Sequence, residues 1–114
     1  MSDTGPRTVL AEVRARTDAA TPGPWEADGW EIHAEPGHVW VAESCDLDAK
    51  DGGAANAAFI AHAREDVPFL LAELARRDAA LEAVLEVAHR WDHVAAGRHI
   101  REAVAAALAA EAQR

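Results

Sequence analysis

The stretch from Asn56 to Trp91, NAAFIAHAREDVPFLLAELARRDAALEAVLEVAHRW, limits what this chain can fold into more than any other. Val67, Leu70, Leu71, Leu74, Leu81, Val84, Leu85, Ala88 and Trp91 recur at helical spacing and leave one face apolar for most of its length. Such a face needs something to lie against. Asp66 has the chemistry of an N-cap, and Pro68 would then fall in the first turn, where its missing N–H costs nothing. The stretch predicts a short helix from about Ala54 to Arg64, with Asn56 capping it and Phe59, Ile60 and Ala63 buried. A separate long helix follows from about Asp66. Arg77 and Asp78 interrupt the stripe midway, so its two halves are expected to meet different surfaces.

Upstream, residues 1–5 read as a frayed start and Pro6 as a helix-initiating proline. Val9, Leu10, Val13 and Thr17 give the first helix a narrow apolar stripe, enough for docking but not for independent stability. Thr21-Pro-Gly-Pro24 stops it. The period then drops to two. A hairpin around Pro36-Gly37 would set Ala34 against Val39 and Ile32 against Val41 on one face, with His33 against Trp40 on the other. Trp25 to Ala27 can add a strand before the Asp28-Gly29 break. Residues 46–53, DLDAKDGG, read as a mobile polar loop without the remainder of a calcium-binding pattern. Gly97 is expected to stop the long helix, and a last helix from about Arg98 carries Ile100, Val104, Ala107 and Leu108 on one face. The expected class is α+β: one domain over 1–114, with a short antiparallel sheet packed against about four α-helices, one of them long.

Half of the 114 residues are apolar, but alanine dominates them, so the core is expected to be thin and homo-oligomerisation through the long helix to be the remedy. A formal charge of −9 disfavours nucleic acid and anionic membranes as partners. Cys45 is alone, which excludes an intramolecular disulfide and CxxC zinc sites. With no signal-peptide pattern and no apolar run of spanning length, a cytoplasmic protein is expected.

No nucleophile–base pair, Walker loop or dinucleotide fingerprint is present, so no enzyme and no cofactor are expected. Glu86, His89 and His93 share a helix face at spacings that metals use. A zinc site needs at least a third ligand plus groups that hold the ligands in orientation, and no metal is assigned. Arg98, His99 and Arg101 crowd the first turn of the last helix, where the helix dipole is already positive and an anion would relieve the clash. Solvation, or pairing with a neighbouring carboxylate, is the simpler account of the same residues. Trp25 and Trp40 offer ring faces to a planar ligand, with His33 sharing the sheet face of Trp40 and His62 and Arg64 within reach. The ligand-binding set is therefore Trp25, His33, Trp40, His62, Arg64, Arg98, His99 and Arg101.

The ordering AATPGPWE at 19–26, a short strand region, then NAAFIAHAREDVPFLLAEL at 56–74 resembles the Ead-like small proteins of phages, prophages and actinobacterial genomes. That resemblance covers about residues 8–76 and implies a phage-type accessory protein in a bacterial host, with no catalytic residue to carry over. It suggests an anti-defence sponge that sequesters a small anionic, nucleotide-like host signal. The alternative is an accessory factor that binds a host protein through the long helix or the sheet edge.

Overall fold

A computed structural model describes residues 5–112 of the chain. Apart from Gly5, the expected frayed start lies outside them. The chain divides into two compact units, Leu10–Leu71 and the remainder.

The elements are α1 (Pro6–Ala19), β1 (Trp25–Asp28), β2 (Glu31–Ala34), β3 (Val39–Glu43), α2 (Ala54–Arg90) and α3 (Ala95–Ala112). The class is α+β, but the described residues form three helices, not four, because the two helices expected over 54–91 are one. Proline at position 68 removes one ladder bond, to the Arg64 carbonyl, at a cost of about 3 kcal/mol. Stopping and restarting would leave several carbonyls and N–H groups unpaired and add a second nucleation step. With no glycine between Arg64 and Pro68 the ladder continues, and Asp66 lies inside the helix rather than capping it. The true cap is Asp51, whose carboxylate accepts the N–H groups of Ala55 at 2.8 Å and Gly53 at 3.0 Å. Those bonds, Ala55 first, hold the Asp51 carboxyl below the ordinary aspartate value. Asn56, expected at the cap, is within the helix.

α1 starts at Pro6, with the Gly5 carbonyl accepting from Thr8 and Val9, and stops before the Thr21–Pro24 break. The sheet is antiparallel in the order β1-β2-β3. In the second hairpin Ala34 pairs with Val39 and His33 with Trp40, as the alternation predicts, but Ile32 pairs with Ala42, not Val41. A bulge between Ile32 and His33 makes the difference. It also breaks the two-face pattern: Ile32, His33 and Ala34 are all buried, so His33 is not on an open face.

The core of this unit is Ile32, Ala57 and Ala61, with Trp25, Val41 and Ala42 packed against it. Ala57 and Ala61 stand one turn apart on α2, and their small side chains let the sheet come close. Phe59 and Ile60, expected to be buried, lie on another face and are 76 % and 36 % exposed. At the foot of α2, Gly53 adopts φ +102° and is buried beside the chain leaving β3. A Cβ there would stand 2.1 Å from the Ser44 carbonyl oxygen.

In the other unit the chain leaves α2 at Arg90 and enters α3 at Ala95. Trp91 N–H donates to the Val87 and Ala88 carbonyls, Val94 N–H to Trp91, and Gly97 N–H to Val94. Gly97 is therefore not the stop of the long helix: it is buried in the first turn of α3. A Cβ on it would lie 2.3 Å from the Trp91 carbonyl oxygen and 2.8 Å from that of Ala88. Glycine is used there for close approach, not for a left-handed backbone.

Candidate functional site

The residues expected to bind a ligand fall into separate groups. Trp25 and Arg64 come together: the guanidinium lies 5.9 Å from the indole centroid. Trp25 Nε1 donates to the Thr21 carbonyl at 3.1 Å, and Arg64 Nη1 donates to the Thr17 carbonyl at 2.6 Å. With Arg16, Phe59, Ile60 and Val67 they line a shallow cleft of about 270 Å³. His62 is exposed, its ring nitrogen 3.3 Å from the Ala58 carbonyl, and does not line that cleft.

His33 and Trp40 are cross-strand neighbours as expected, yet the ring stacked on His33 is that of His38, 3.8 Å away and 11° from parallel. His33 Nε2 meets Glu31 Oε2 at 3.1 Å and His38 Nδ1 meets Glu35 Oε1 at 3.0 Å. The bond from His38 is the main reason that the Glu35 carboxyl is held below the ordinary glutamate value. Trp40, 63 % exposed, turns its Nε1 to the Ala42 carbonyl at 2.9 Å. Alternation places His38 as the first residue of the second strand, but it sits at φ +51° in the turn before β3, which is what brings its ring onto His33.

At the start of α3 the chain supplies its own anion. Arg101 Nη2 lies 3.0 Å from Asp92 Oδ1, an ion pair without hydrogen-bond alignment. Arg98 Nη1 donates to the Asp92 carbonyl at 3.4 Å, and His99 is exposed. The pairing with a neighbouring carboxylate is the arrangement adopted. His93 stacks beside Trp91 with centroids 5.8 Å apart. Among the described residues no three His, Cys, Asp or Glu side chains converge as a metal site would require. No helix of the described residues is long and apolar enough to cross a membrane.

A larger concavity lies where α2 turns into α3. Ala83, Val84, Val87, Ala88, Trp91, Val94, Ala96, Gly97 and Ile100 enclose about 500 Å³, and none of them carries a charge. Val84, Val87, Trp91, Val94 and Ile100 are between 41 % and 54 % exposed. The close approach at Gly97 brings the end of α2 and the first turn of α3 together. Two ion pairs flank the groove, Glu86 with Arg90 and Asp92 with Arg101. The geometry suits an apolar, uncharged surface, and has no group placed for acid–base or nucleophilic work. Sequence periodicity had marked Val84, Trp91 and Ile100 as apolar-face residues. It missed Val87 and Val94, which lie off that stripe or in the turn.

Compared with protein-family models, with curated proteins and with solved structures, the chain matches none.

Proposed function

We propose that this chain is a non-enzymatic association module whose working surface is the groove at the α2–α3 corner. One observation carries the reading. Among the described residues from 72 to 112 only Ala88 and Gly97 are buried, while Leu74, Val84, Val87, Trp91, Val94, Ile100 and Leu108 are each more than 40 % exposed. A contiguous apolar, uncharged groove of this kind is the mark of an interaction surface rather than of a reaction centre. The accessory role implied by the Ead-like resemblance is compatible with it. A photo-cross-linking side chain installed at Val84 tests the reading in cells that express the protein. A covalent protein adduct is expected from position 84 and none from the equally exposed His62. Adducts from both positions alike, or from neither, would contradict it.

A second reading, capture of a small planar anion such as a nucleotide, is favoured by the cleft that holds Arg16, Trp25 and Arg64. There a ring face and two guanidinium groups line one concavity, as ring stacking and phosphate pairing require. Under this reading nucleotides change Trp fluorescence in a saturable way, and Arg64→Ala weakens the response by about tenfold or more, as loss of a charge-assisted bond would. A flat titration with every nucleotide would remove it.

A further inference from the structure

We infer that the occupant of the α2–α3 groove is a second copy of this chain, joined to the first through an isologous interface; this rests on the association reading above. Stability gives the first reason. The stretch from 72 to 112 consists of two helical segments with no large apolar side chain fully buried between them. Helices of this length are marginal in water without tertiary packing. The surface that completes them must be present whenever the protein is folded, and a second copy always is.

Charge gives the second reason. Residues 1–71 hold thirteen acidic and five basic side chains, and residues 72–114 hold seven and six, so −8 of the formal −9 belongs to the first stretch and −1 to the second. Two copies of an acidic protein repel each other, but least through this part. Four of the charged residues near the groove are paired within the chain, Glu86 with Arg90 and Asp92 with Arg101. They neither repel an identical surface nor select a strongly charged foreign one.

Area gives the third. The exposed parts of Val84, Val87, Trp91, Val94 and Ile100 at the groove, with Leu74 and Leu108 farther along α2 and α3, amount to something on the order of 500 Å² per chain, so two copies that covered them all would bury about 1,000 Å², the least that a specific interface needs. Trp91, 54 % exposed and at the groove, is the anchor that such an interface concentrates its energy on.

Sedimentation velocity on the full chain, from about 1 µM to about 300 µM to span moderate affinities, tests the inference with Val87→Glu, Trp91→Ala and a control, Leu47→Glu. Leu47 is 91 % exposed and outside the groove. Wild type should be dimeric over most of the range. Trp91→Ala should weaken the dimer by about 30-fold and Val87→Glu by about 100-fold, as anchor loss and a buried unpaired charge do. Leu47→Glu should leave it unchanged. Hydrogen exchange over Leu10–Leu71 should match wild type in each variant, separating lost association from unfolding. A wild type that stays monomeric throughout overturns the second copy; with amides of 72–112 unprotected it leaves the groove to a different protein, and with them protected it overturns the association reading as well. A dimer indifferent to both groove substitutions, or weakened equally by the control, overturns this inference and the association reading together.

Discussion

Gly97→Ala is expected to destabilise the α2–α3 corner by about 3 kcal/mol or more, the upper range for forcing atoms into a filled space. Intrinsic propensity points the other way, since alanine in a helix is favoured over glycine by about 1 kcal/mol. Geometry decides the sign. The added methyl would stand 2.3 Å from the Trp91 carbonyl oxygen and 2.8 Å from that of Ala88, backbone atoms that move only if the turn opens. Opening it separates Val84, Val87 and Trp91 from Val94 and Ile100 and dissolves the groove. Hydrogen exchange should therefore show lost protection over 72–112 with little change around β2, together with weaker self-association. Urea midpoints equal to those of the wild type would refute the assigned role of Gly97.

Ile32→Ala should have an effect of similar size in the other unit. Ile32 is the one large side chain that is fully buried among the described residues, and the sheet meets Ala57 and Ala61 through it. Removing a buried isoleucine costs about 2–5 kcal/mol, less when neighbours collapse into the space. Here the partners are alanines, too short to fill it, so the upper half of that range is expected. Denaturation followed by Trp fluorescence reports directly, because Trp25 packs on this cluster. A loss below about 1 kcal/mol, the size of a mere Ile→Val trimming, would mean that the sheet is held by something else.

The parts of the fold that follow from local chemistry were legible in the sequence. Pro6 starts α1, Thr21-Pro-Gly-Pro24 ends the first helical segment, and alternation from Trp25 to Glu43 gives the strands with His33 opposite Trp40. What depends on competition between local and extended order was not. Asp66 and Pro68 carry the marks of a helix start, but a restart costs more than a single missing bond, so α2 runs through them. Alternation cannot see the bulge that pairs Ile32 with Ala42 and covers His33. Periodicity ranks Phe59 and Ile60 above Ala57 and Ala61 because it weighs side-chain size, whereas the sheet selects the face that lets it come nearest. For the site, Arg98, His99 and Arg101 read as a place for an external anion, whereas Asp92, three residues before α3 begins, pairs with Arg101, a partner that helical periodicity does not single out. Gly97 looked like a stop signal because the sequence carries no record of the carbonyls that crowd it.

The central claim is that residues 72–112 are completed by a surface outside their own chain. Native-state hydrogen exchange of those amides, measured as a function of protein concentration, addresses it most directly. Protection of α3 and the C-terminal half of α2 should rise by about threefold per tenfold in concentration, because the free-monomer fraction of a dimer falls as the square root of concentration, while amides of Ile32 to Ala34 change far less. Protection over 72–112 that is high and independent of concentration would contradict the account.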